Sequence, residues 1–189
     1  MKGRWTRFGG SIQVNPGDLA ATRGKVSMEL GDLKTHTFGE PGKDSRQTSH
    51  ALNWMEVGPE VSATTRQRHG TATLVIEAIE GASPPKLADG QLKVRAKVTG
   101  TLTLHGVKAK KTVPVEVTFQ GPADAPTAVA IRSASPMRIS LKQHDIKPRD
   151  LAGRFLAGAL DKIGQKIADT AQVTINLKGK APRADPRLP

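Results

Sequence analysis

Residues 92–104 alternate without a break. Leu92, Val94, Ala96, Val98, Gly100, Leu102 and Leu104 take the even positions, while Lys93, Arg95, Lys97, Thr99, Thr101 and Thr103 take the odd ones. Side chains of a strand point to opposite faces in turn, so a period of two over this length requires one long strand with an apolar and a wet face. Gly100 marks a place for a bend or bulge. After a turn placed at 106–110, Val113, Val115, Val117 and Phe119 alternate with Thr112, Pro114, Glu116 and Thr118. The two runs predict an antiparallel hairpin, although Pro114 has no N–H to give to a ladder.

Shorter stretches follow the same rule. Strands are predicted around Val26, Met28 and Leu30; over 71–79 with Leu74 and Ile76; at Val129 and Ile131; at Met137, Ile139 and Leu141; and at Val173, Ile175 and Leu177. Trp5 and residues 8–14 form an opening strand, closed by the turn signal Asn15-Pro16-Gly17-Asp18. Helical spacing occurs in two places. Residues 48–57 carry Ala51, Leu52, Trp54 and Met55 before Gly58-Pro59, and residues 149–169 carry Phe155, Leu156, Ala159, Leu160, Ile163 and Ile167. Many short strands with turn signals between them predict a mainly β chain, an antiparallel barrel or sandwich rather than a parallel α/β sheet. The end, 179–189, holds three prolines and no apolar pattern, which predicts a disordered basic tail.

Composition narrows the function. The 189 residues contain no cysteine, which removes disulfide frameworks, thiolate catalysis, iron–sulfur clusters and cysteine zinc sites. Aromatic residues are only 3%, too few for the stacking platforms of single-strand nucleic-acid binders. No apolar run reaches the length of a membrane-spanning helix, and the first ten residues lack the apolar core of a signal peptide.

Catalytic motifs are not found. His36, His50, His69, His105 and His144 are scattered, with no HExxH and no i, i+4 pair, so the sequence predicts no metal site. There is no nucleophile elbow, Ser49 beside His50 is not a motif, and the glycines form no phosphate loop. No pair of carboxylates is set apart by spacing as acid and base, and the expectation is a protein without enzymatic activity. A basic stretch stands out instead. Lys93, Arg95 and Lys97 share the wet face of the long strand, and Lys108, Lys110 and Lys111 fall in the adjoining turn. This stripe reads either as a surface for anionic membrane or phosphate groups, or as a solubilising face that protects a strand edge. Neither a recognition helix nor an arm accompanies it, so no specific nucleic acid is expected. On the apolar side, Trp5, Phe8, Trp54, Met55, Leu92, Val94, Leu102, Leu104, Val113, Val115 and Val117 are the candidates to line an interior. Many are small or β-branched, which suits either a packed core or a ligand-holding barrel.

At Leu102-Thr103-Leu104-His105-Gly106-Val107, followed by Lys111-Thr112-Val113-Pro114-Val115, the chain resembles the YceI-like family of polyisoprenoid-binding, lipocalin-like barrels. Gly100 and Thr101 precede this hairpin as they do in the family. Further similarity lies at His50-Ala51-Leu52-Asn53-Trp54-Met55-Glu56-Val57, at the start from Gly3 to Ile12, and at the end from Ile163 to Leu177. The resemblance implies one antiparallel lipocalin-like β-barrel domain over 1–178, with one short helix and a second helical segment before the last strand. It also implies an interior that binds or carries a long-chain amphiphilic lipid, isoprenoid or quinone-like, with no cofactor and no catalytic residue. The rival reading is a structural or stress-related interaction domain with a packed interior; a homodimer is compatible with either.

Two departures accompany the resemblance. The segment 149–169 is longer than the family's loop there. The family also opens with a secretion signal and a first strand that this sequence lacks, so the barrel is expected to be one strand short. The corresponding expectation is a periplasmic or secreted protein if the true start lies upstream, and a cytoplasmic one as the sequence is written.

Overall fold

In chain order the elements of the computed structural model are β1 (Gly3–Arg4), β2 (Phe8–Gln13), β3 (Arg23–Glu29), β4 (Lys34–Thr35), α1 (Pro41–Trp54) and α2 (Ala63–His69). They continue with β5 (Thr71–Ser83), β6 (Lys93–Leu104), β7 (Val107–Gln120), β8 (Ala128–Ser133), β9 (Met137–Ser140), β10 (Thr170–Val173) and β11 (Asn176–Lys180). The structure describes residues 1–149 and 169–182. Apart from its end residues Arg149 and Asp169, neither of them helical, the expected second helical segment lies outside the described residues, as does the expected tail from residue 183 onward.

Seven strands form one antiparallel sheet in the order β11-β8-β7-β6-β5-β3-β2, curled into a half-barrel. The curl agrees with the lipocalin-like architecture; β2 and β11 are the edges of this sheet among the described residues. Two small antiparallel pairs, β1–β4 and β9–β10, lie outside it. The β6–β7 pair is the longest uninterrupted ladder, running from Lys93↔Thr118 to Leu104↔Val107.

The bend expected at Gly100 is realised on its neighbour. Ile76 pairs with Gly100, and the register then shifts between Ile76 and Ala78, with a second shift between Glu80 and Ser83. An extra residue in one strand raises local twist and bends it, which is how an antiparallel sheet acquires strong curvature. Because one residue is inserted, β5 also changes parity: Leu74 and Ile76 share the face of Leu102 and Gly100 before the bulge, and Ile79 shares that of Val98 after it.

Pro114 keeps its place in β7 for a geometric reason. Its carbonyl accepts from Ala134 N at 2.8 Å, so its nitrogen faces the β8 side, just past the last β7–β8 register pair, Val115↔Ser133. No bond toward β6 is lost. Several boundaries differ from the sequence reading. The hairpin turns through His105 and Gly106 alone, both at positive φ (52° and 76°), the two-residue type I′ turn that matches strand twist. Lys108, Lys110 and Lys111 therefore stand in strand β7, not in a turn. The alternation at Val173, Ile175 and Leu177 belongs to two strands, because β10 pairs with β9 and β11 with β8. β11 also passes the expected domain end at 178 to reach Lys180, and Ala181 N donates to Thr127 O at 2.8 Å.

α1 starts earlier than expected because Pro41 opens it at a first-turn position, where a missing N–H removes nothing. Thr35 and Thr48 hold it against β4: Thr35 Oγ1 donates to Asp44 O at 2.6 Å, and Thr35 N donates to Thr48 Oγ1 at 3.0 Å.

Candidate functional site

The concave face of the sheet collects the predicted lining, but in two groups. Leu102, Leu104, Val113, Val115 and Met55 are buried in the larger core, which also takes in Leu30, Leu33, Ile139 and Ile146. Val94 is buried at the other end with Leu19, Leu87 and Phe119, and Leu92, which precedes β6, packs half-buried there. Val117 touches both groups. Trp5 and Trp54 pack half-buried on the larger core, and Trp5 Nε1 donates to Leu30 O at 3.1 Å. Phe8 shares the face of Met28 on edge strand β2 but packs into neither group and is 46% exposed, because no further strand covers that edge among the described residues.

The basic stripe also divides. Register places Lys93, Arg95 and Lys97 with Lys108 and Lys110 on the outer face, whereas Lys111 pairs with Gly100 and so belongs to the concave face. Its Nζ donates to Arg138 O on β9 at 3.2 Å. The reason is parity: adjacent lysines 110 and 111 of one strand point to opposite faces. Three of these five outer cations meet acids from neighbouring strands. Arg95 Nε lies 3.1 Å from Glu116 Oε1, Lys110 forms an ion pair with Glu77, and Lys97 stands in register with Glu80.

A second site was hidden in the sequence. Glu56, His69 and His105 come from three separate segments and bring their ligand atoms within 4.8 Å of one another. His105 Nε2 donates to Glu56 Oε2 at 2.8 Å with its side chain 4% exposed. His69 Nδ1 lies 3.1 Å from the same oxygen, yet it is buried and makes no hydrogen bond among the described residues. The two imidazole rings are tilted by 49° at a centroid distance of 3.9 Å. Burial first, and then the charge of His105, hold the His69 imidazole below the ordinary histidine range. Arg149 completes the surroundings, its guanidinium 3.5 Å from Glu56 Oε2 and bonded to Asp145 O at 2.7 Å and Asp145 Oδ2 at 2.9 Å.

Local backbone explains how these groups are aimed. α1 ends in a Schellman turn, with Val57 N donating to Leu52 O at 2.9 Å and Glu56 N to Asn53 O at 3.0 Å. Glu56 (φ 56°) therefore occupies the left-handed position that glycine ordinarily takes. His105 (φ 52°) occupies the first position of a type I′ turn, where Asn is favoured. Asp145 (φ 52°) is the remaining non-glycine at positive φ among the described residues. Glu56 and His105 meet at one node, to which Asp145 is joined through Arg149, and strained backbone of this kind gathers at functional sites. Nearby, His144 is fully buried; its Nδ1 donates to Leu104 O at 3.1 Å, and its Nε2 has no partner among the described residues.

The domain model for "YceI-like domain" matches residues 1–179. Among solved structures, Burkholderia cenocepacia BcnA is similar at 17% identity and a TM-score of 0.59, covering 94% of this chain and 87% of its own. A Campylobacter jejuni YCEI protein is similar at 14% identity and a TM-score of 0.60, covering 96% and 85%. A polyisoprenoid binding domain from Saccharophagus degradans, implicated in plant cell wall breakdown, is similar at 18% identity and a TM-score of 0.59, covering 95% and 85%. No curated protein matches the sequence significantly. At these identities the structural likeness is one of fold.

Proposed function

The chain belongs to the YceI-like family, and from that premise we propose that it binds a long-chain amphiphilic lipid, isoprenoid or quinone-like, along the concave face of its curled sheet, without chemistry. The lining carries this reading. Met28, Leu74, Val98, Val117 and Ile131 face the concave side from five different strands, and all five are only half-buried. An apolar chain laid on such a trough removes that surface from water, at about 25 cal/mol per Å². Lys111 adds one cation to the same face, suited to a polar or anionic head. The polyisoprenoid-binding neighbour supports the choice of ligand class. The acids that face the outer cations weaken the case for an anionic membrane surface.

The test is to extract native protein with organic solvent and identify the extract by mass spectrometry. Purified, delipidated protein is then titrated with a polyprenol. The chain has two tryptophans and no tyrosine, and both tryptophans pack on the larger core, so intrinsic fluorescence reports on the interior. Saturable change in emission with one polyprenol per chain is expected. Protein that is reproducibly empty and takes up no amphiphile sinks the reading in favour of a packed interaction domain.

A further inference from the structure

We propose that Glu56, His69 and His105 form a binding site for a divalent transition metal of the zinc type. This is independent of the lipid-binding reading. The donor set is a carboxylate and two imidazoles, the combination that borderline cations such as Zn²⁺ select over the all-oxygen sites of Mg²⁺ and Ca²⁺. Three protein ligands leave a fourth tetrahedral position open.

The geometry is close to what a bound ion needs. Zinc bonds of about 2.0–2.2 Å set tetrahedral ligand atoms roughly 3.3–3.5 Å apart. Here His105 Nε2 and His69 Nδ1 stand 2.8 Å and 3.1 Å from Glu56 Oε2, and all three atoms lie within 4.8 Å of one another. Outward shifts of a few tenths of an ångström at the carboxylate admit the ion, once the His105 proton moves from Nε2 to Nδ1 so that Nε2 offers its lone pair. The bonding already present also points that way. His69 Nδ1 is a buried ring nitrogen aimed at the carboxylate without a hydrogen bond, a poor arrangement for a purely structural histidine and the right one for a lone-pair donor. The backbone adds a further argument. A turn selected for itself would carry Gly at position 56 and Asn at 105. Two left-handed non-glycine residues, 49 positions apart, instead meet side chain to side chain.

The charged groups around the node set its affinity. Arg149 faces Glu56 from the 141–149 segment, and Arg68 precedes His69 on α2. Arg149 opposes a cation, yet Asp145 already holds it by two bonds, shorter than its contact with Glu56. Metal binding therefore asks Arg149 to give up the 3.5 Å contact and keep the others. Removing its charge tightens binding.

The experiment uses the full chain, free of any affinity tag, stripped with chelator and titrated with ZnCl₂ by calorimetry and with CoCl₂ by visible absorption. Expected are one ion per chain, intense four-coordinate Co²⁺ bands, and a raised unfolding temperature in the presence of metal. Glu56→Gln weakens binding at least 10-fold, and His69→Gln and His105→Asn at least 100-fold. Arg149→Gln tightens it at least 3-fold; this variant keeps all three ligands and so tests the site even where a ligand variant fails to fold. Absence of one-to-one uptake by the wild-type chain overturns the proposal. So does uptake that survives in both folded histidine variants, or affinity that is unchanged or weaker in Arg149→Gln.

Discussion

The contact between Glu56 and His105 ties the end of α1 to the tip of the β6–β7 hairpin, and a double-mutant cycle measures its strength. His105→Asn acts on two terms of opposite sign. Asn is favoured at the first position of a type I′ turn, which relieves up to about 1 kcal/mol of left-handed strain. Against that, a 2.8 Å bond from a buried ring nitrogen to a carboxylate is lost, and bonds to charged groups contribute roughly 1.5–3 kcal/mol. Loss of imidazole burial adds to the deficit, so the single change destabilises by about 1–2 kcal/mol. In a Glu56→Ala background the bond is already absent and only the turn preference and ring burial remain, so the same change is close to neutral. The coupling is therefore about 1.5 kcal/mol, which in a chain of this size amounts to roughly 3–6 °C of Tm. Urea unfolding of the four proteins at pH 7.5 with chelator present gives the number. A coupling below about 0.5 kcal/mol refutes the reasoning, because it lies within the scatter of independent sites; the turn alone would then account for residue 105.

Other perturbations test other parts of the molecule. Gly100→Ala pushes a Cβ against the Val75 carbonyl, with Val75 C at 3.1 Å and Leu74 Cδ1 at 3.3 Å; a loss of about 1–3 kcal/mol in urea is expected, and neutrality would mean the bulge yields freely. Burial holds the His144 imidazole below its ordinary value of 6.5, so the unfolded chain takes up the proton first. Stability is complete above that pH and declines as pH falls toward the depressed folded value, with a slope of at most about 1.4 kcal/mol per pH unit. His144→Gln keeps an N–H donor and should flatten the Tm profile between pH 7.5 and 5.5; an unchanged profile contradicts this. Lys111→Met should weaken uptake of a polyprenyl phosphate several-fold while leaving that of the uncharged polyprenol alone. Equal loss for both would show that Lys111 serves the wall and not the ligand's head.

The β6–β7 hairpin was legible because its information is local: thirteen positions of period two name the element, its faces and most of its core. The same rule separates Lys110 from Lys111, once the turn is known to take two residues and not five. The rule fails where it cannot see a change of partner. Val173, Ile175 and Leu177 keep their parity while the chain leaves β9 for β8. α2 escaped notice because it buries none of its residues; its one signal is Ser62, whose Oγ accepts from Thr65 N at 3.2 Å. Glu56, His69 and His105 escaped for a different reason. Their meeting is set by three chain ends in space, and no spacing encodes it. A trace does remain in hindsight: a His before Gly106, where a tight hairpin prefers Asn, and a Glu where a helix end prefers Gly.

The two apolar groups under the sheet have a mechanical consequence. β6 and β7 each send side chains to both, Val94 and Phe119 at one end and Leu102, Leu104 and Val113 at the other. These strands act as a shared spine, and local opening at one end is expected to leave most of the other end packed. Hydrogen exchange at the backbone amides beside Leu19 and Leu87 is then expected to run at a different rate from that beneath α1.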